Sequence, residues 1–122
     1  MSVKRLLDCA EFTAGDGCRL REILHPDKET FAGRYSLAHA VVAIGQTTDK
    51  HRLRTSEVYY ILSGRGRMTI DGEVTDVGPH DTVTIPPHAV QCIENTGIEE
   101  LVFICMVDPA WCKEDEMIIG DQ

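Results

Sequence analysis

The sequence has no apolar run long enough to cross a membrane as a helix. Its longest stretches, such as Leu101 to Val107, fall far short of the roughly 20 residues a span requires. Near the start, Lys4 and Arg5 are followed only by Leu6 and Leu7 before Asp8, Glu11 and Asp16 intervene. No apolar segment of secretory length is present there, and the expected address is the cytoplasm. CxxC spacing is also missing: Cys9, Cys18, Cys92, Cys105 and Cys112 form an odd, scattered set. That argues against both a disulfide framework and a thiolate zinc knuckle, and leaves mostly reduced thiols. Basic residues are scarce, twelve against twenty acidic ones, for a formal charge of −8. Such a surface repels phosphate, so neither nucleic acid nor a membrane is an expected partner. Internal repeats, low-complexity stretches and linkers are absent, which predicts one domain over residues 1–122.

What is present is an ordinary globular composition, 43% hydrophobic and 26% charged, in a chain long enough to bury one sizeable core. From Ser36 onward, short runs rich in Val, Ile, Thr, Tyr and Phe are each closed by Gly, Pro, Asp or Asn. The pattern predicts strands over Ser36 to Ile44, Glu57 to Ser63, Gly66 to Ile70, Glu73 to Val77, Thr82 to Ile85, Val90 to Asn95 and Glu100 to Val107. Asp71-Gly72 is the signal for a two-residue type I′ hairpin, whose central residues both need positive φ. An N-terminal strand or arm is expected around Leu20 to Leu24, and a short helical turn from Trp111 to Glu116. Seven or more antiparallel strands without a helical layer predict an all-β barrel of jelly-roll form with a short N-terminal arm. Both faces of Leu37 to Ile44 are apolar, so its outer side is expected to be covered, most simply in a homodimer.

Two segments carry a motif. Gly45, His51, Glu57 and Gly64 stand in one; Asp81, Ile85, Pro86 and Asn95 stand in the other, with His80, His88 and Gln91 between and around them. Together they resemble the two sequence motifs of the cupin family. The first has Gly, five residues, His-x-His, three or four residues, Glu, six residues and Gly. The second has Gly, five residues, Pro-x-Gly, two residues, His, three residues and Asn. The resemblance runs over residues 36–107 and implies a double-stranded β-helix, commonly dimeric, with a divalent metal held by three His and one Glu. Of those four ligands this chain keeps His51 and Glu57; Leu53 and Gln91 stand in place of the other two, and His80 and His88 replace two glycines.

A metal site here would combine His51, Glu57, an amide oxygen from Gln91, and one further imidazole. That set corresponds to one divalent transition metal, Fe, Mn, Ni, Cu or Zn. His39, polar within an apolar strand and therefore in need of a partner, is the favoured fourth member, with His88 as the alternative. Tyr59 shares the parity of Glu57 and is expected to orient it or a substrate; Arg54 is placed to grip an anionic substrate. Cys105 is a neighbour of the site or a small core residue. His80 and His25 read as turn and loop residues, and Met68, Phe103 and Met106 as core. Two functions compete. The first is a metalloenzyme acting on a small organic molecule, as a dioxygenase or a Lewis-acid isomerase or lyase. The second is a metal-free binding or sensing module, with a pocket of Leu53, Tyr59, Val83, Ile85 and Ile93, and with His51 and Glu57 paired to each other.

Overall fold

Along Ser56–Ser63, Glu57, Tyr59 and Ile61 are buried while Ser56, Tyr60 and Leu62 are exposed, the two-residue period of a strand with one side against a core. The same alternation, repeated along the chain, builds two sheets in the computed structural model, which describes residues 2–119. In chain order the strands are β1 (Glu11–Thr13), β2 (Arg19–Leu24), β3 (Ser36–Val42), β4 (His51–Leu53), β5 (Ser56–Ser63), β6 (Gly66–Ile70), β7 (Glu73–Val77), β8 (Thr82–Ile85), β9 (Gln91–Asn95), β10 (Leu101–Asp108) and β11 (Glu116–Ile118). One sheet runs β1-β2-β3-β10-β5-β8 and the other β11-β4-β9-β6-β7; every pairing is antiparallel. Between them, Ile61, Ile93, Leu101, Phe103 and Met68 form the centre of the core.

The turns follow the backbone chemistry of their residues. Asp71 (φ 48°) and Gly72 (φ 82°) make the expected β6–β7 hairpin. Gly64 sits at φ +87°, and a Cβ there would stand 2.6 Å from the Glu100 carbonyl oxygen, so only glycine fits between β5 and β10. His80 (φ 73°) and His88 (φ 69°) adopt the left-handed conformation that glycine takes without cost at those motif positions. The His80 ring contacts the Tyr60 hydroxyl at 3.2 Å, and the His88 amide donates to the Leu53 carbonyl at 2.7 Å.

The chain departs from the sequence-based expectation at its ends. The N-terminal arm is two strands, β1 and β2, added to the edge of the six-stranded sheet. The anticipated helical turn is a 3-10 turn over Lys113–Asp115, followed at once by β11. The expected first long strand stops at Val42, before the Gly45 turn.

Candidate functional site

Inward parity on four strands converges on one cavity of about 360 Å3. Its wall includes Ser36, Ala38 and Ala40 of β3, His51 and Leu53 of β4, Glu57 and Tyr59 of β5, and Phe103, Cys105 and Val107 of β10. The two ends of the chain complete it, the first with Phe12, Asp16 and Cys18 and the second with Trp111, Lys113 and Glu116. Most of this wall is hydrocarbon or aromatic, with a few convergent polar groups, which is the usual make-up of a small-molecule pocket.

The polar groups form a chain. His51 and Gln91 are directly opposite each other where β4 pairs with β9. The Gln91 side chain donates from Nε2 to Glu57 Oε1 at 2.8 Å, and its Oε1 accepts the Tyr59 hydroxyl at 3.0 Å. Tyr59 is held in turn by stacking on Phe103, with centroids 4.3 Å apart. His51 Nδ1 lies 3.0 Å from the Asp49 carbonyl oxygen. A carbonyl only accepts, so Nδ1 carries a proton, and in the neutral ring the lone pair is then on Nε2. Asp16 Oδ2 stands 3.9 Å from the same Nδ1, while Asp16 Oδ1 accepts the Cys18 amide at 3.2 Å.

Glu57 is 6% exposed. Burial, reinforced by the Asp16 and Glu116 charges, pushes its carboxyl up to about 7, against the opposing pull of the Gln91 hydrogen bond and His51. At neutral pH it is therefore poised between acid and base. The Tyr59 hydroxyl and the Cys18 and Cys105 thiols are pushed up as well, in each case mainly by burial; these thiols stay protonated and poorly nucleophilic.

The candidates read from sequence divide cleanly. His51, Glu57, Tyr59 and Gln91 come together. His39 does not join them: with Ala38 and Ala40 on the cavity wall, its parity turns it to the opposite face of the sheet. There it is flanked in register by Arg21 and Ile104. Its Nδ1 has no hydrogen-bond partner, and burial followed by the Arg21 charge lowers its pKa. Arg54 is exposed, 3.8 Å from Asp115, and outside the cavity wall. His88 is exposed on its turn. Of the apolar pocket residues expected, Leu53 and Tyr59 are present; Ile85 and Ile93 belong to the core, and Val83 lines a separate open groove with Met68 and Ile70. Glu57 takes Gln91 rather than His51 as its close partner. Sequence patterns miss Asp16, Glu116 and Trp111. The turn signal Asp16-Gly17, with Gly17 at φ 96°, was the available clue for the first.

The four motif positions do not supply a full set of donors for a divalent metal. Among them only His51 Nε2 and one Glu57 oxygen are uncommitted, because Leu53 is hydrocarbon and Gln91 turns its nitrogen to Glu57 and its oxygen to Tyr59. Protein metal centres typically use three or four such donors. Among the described residues, no three His, Cys, Asp or Glu side chains are grouped to hold an ion.

Comparison with known proteins places this geometry. The model of the cupin domain matches residues 38–107. An uncharacterised protein of Methanocaldococcus jannaschii is 43% identical over 106 residues, 85% of this chain and 83% of that protein. The mannose-1-phosphate guanylyltransferase ManC of Salmonella typhimurium is 29% identical over 80% of this chain, which spans only 22% of that enzyme. Among solved structures, the polyketide cyclase RemF of Streptomyces resistomycificus superposes with a TM-score of 0.82 at 16% identity, covering 100% of this chain and 87% of that one.

Proposed function

The chain belongs to the cupin family, and from that premise we propose that it binds a small organic molecule in the barrel and moves a proton on it. The observation that carries this reading is the Glu57 carboxyl, buried, facing the cavity and held near a neutral pKa. Such a group abstracts and returns protons at physiological pH, and the chemistry it supports is isomerisation or elimination. His51 serves as its partner, since Nε2 accepts a proton while Nδ1 stays tied to the Asp49 carbonyl. Gln91, itself held by the Tyr59 hydroxyl, fixes one carboxyl oxygen and leaves the other toward substrate. Leu53, Phe103 and Trp111 exclude water and hold an apolar body.

A divalent-metal enzyme is the second reading. What favours it is the His51 tautomer, because a backbone carbonyl on Nδ1 orients a ring whose Nε2 binds metal in many metalloproteins.

The two are separated by incubating wild type and Glu57→Gln in D2O with a panel of small carbonyl and hydroxyl compounds, followed by NMR. Deuterium uptake or elimination in the wild type, indifferent to chelator and lost in Glu57→Gln, supports the first reading. Activity lost on chelation and restored by one metal overturns it in favour of the second.

We also propose a homodimer in the cytoplasm. Leu37, Val58, Val102, Ile104 and Met106, each half-buried, share the outer face of the six-stranded sheet, an apolar patch suited to a second copy. No described helix is long and apolar enough to cross a membrane. Sedimentation of the wild type and Ile104→Lys tests the dimer; a monomeric wild type overturns it.

A further inference from the structure

Charge inside the cavity is unbalanced. Asp16, Glu57 and Glu116 all line it, and among the described residues none has a lysine or arginine nitrogen within 4 Å. A fourth lining carboxylate, Glu22, is already taken by Lys28 at 2.6 Å. The one cationic residue of the wall, Lys113, is exposed. The three carboxylates are neighbours: Asp16 and Glu116 both act on the Glu57 charge, and a Cβ on Gly15 would stand 3.1 Å from Glu116 Oε1. Asp16 and Glu57 are more than nine-tenths buried. Gln91 satisfies one Glu57 oxygen, and no hydrogen bond reaches the other among the described residues.

Burying anions is costly, and the nearest basic side chain, His51 with Nδ1 3.9 Å from Asp16 Oδ2, sets a single imidazole against three carboxylates. Its remaining surface is aromatic and aliphatic, with Phe12, Tyr59, Phe103 and Trp111 in the wall. Aromatic faces attract cations as well as apolar groups. A bare inorganic ion would leave that surface wet, whereas an anion would meet three like charges and a chain already at −8.

We propose that the cavity takes an organic cation, its ammonium group beside Asp16, Glu57 and Glu116 and its apolar body among the aromatic walls. This rests on the cavity being the ligand site, and it names the class of molecule on which Glu57 would act.

The test is calorimetric titration with three molecules that share one indole body: tryptamine, the uncharged tryptophol and the anionic indole-3-acetate. Tryptamine binds tighter than tryptophol by roughly tenfold or more, and indole-3-acetate is weakest. In Asp16→Asn and Glu116→Gln the advantage of the cation shrinks while tryptophol affinity is unchanged, which also shows that the variants are folded. Equal affinity across the series, or preference for the acid, overturns the cation assignment and leaves the ligand cavity standing. Binding of none of the three overturns both.

Discussion

Replacing Glu57 with glutamine keeps the side chain's shape and lets its oxygen accept from Gln91 as before, but removes ionisation. An ordinary glutamate of the unfolded chain titrates near 4.5, whereas Glu57 in the fold titrates at about 7. Between those values the folded protein holds a proton that the unfolded chain has released, so stability falls as pH rises through this window. Below it both states are protonated, and above it both are ionised. Each tenfold change in proton affinity is worth about 1.4 kcal/mol, so the ionised carboxyl costs the fold about 3 kcal/mol once pH passes 7. Glu57→Gln is therefore expected to match the wild type near pH 4.5 and to exceed it by about 3 kcal/mol at pH 8. Urea unfolding of both proteins at several pH values reads this directly, with the difference between them cancelling the titration of every other group. A difference that stays flat with pH, or a variant less stable than the wild type at pH 8, refutes the reasoning.

Other perturbations separate the parts of the site and the fold. Gln91→Leu strands the buried Tyr59 hydroxyl and one Glu57 oxygen together, at a cost of about 2–4 kcal/mol in urea unfolding at pH 8; no loss there would mean that the Tyr59–Gln91–Glu57 chain is not closed. Gly64→Ala drives a Cβ into the Glu100 carbonyl at positive φ, while Gly72→Ala meets nothing within 4 Å. The first is expected to lose more than about 3 kcal/mol and the second about 1 kcal/mol, measured the same way. His39→Leu removes an unsatisfied ring nitrogen from an apolar face and is expected to be neutral or stabilising by about 1 kcal/mol. It should also leave ligand titrations unchanged, and a shift in ligand affinity would place His39 nearer the cavity than its parity allows.

The longer strands were legible because each is a run rich in Val, Ile, Thr, Tyr or Phe closed by Gly, Pro, Asp or Asn. Gly66–Ile70, Glu73–Val77 and Thr82–Ile85 are strands over the residues expected from that pattern. Glu11–Thr13, His51–Leu53 and Glu116–Ile118 span three residues each, too few for alternation to declare itself. Glu11–Thr13 forms by a local hairpin with β2, and His51–Leu53 and Glu116–Ile118 form by pairing with each other across more than sixty residues. The site shows the same division. His51, Glu57, Tyr59 and Gln91 were legible through motif spacing and shared parity. His39 looked equally suitable as a polar residue in an apolar strand, but parity alone does not say which face of a strand with two apolar faces turns inward. Ala38 and Ala40 occupy that side, where β3 lines the cavity. Asp16 and Glu116 reach it through the chain ends, whose course depends on tertiary pairing that no local pattern encodes. Gln91 was legible as an amide at the site, yet not which of its atoms would be engaged; the Tyr59 hydroxyl and the Glu57 carboxylate decide that between them.

One proton decides the proposed chemistry, and its position is directly observable. With glutamate side chains labelled by 13C at the carboxyl carbon, and Glu57→Gln used for assignment, NMR titration follows the Glu57 signal from pH 4 to 9. A midpoint near 7 is predicted, the value that lets this carboxyl serve as acid and base inside the barrel. A midpoint at or below the ordinary 4.5 would contradict it, leaving Glu57 a fixed anion and removing the basis for proton transfer at this site.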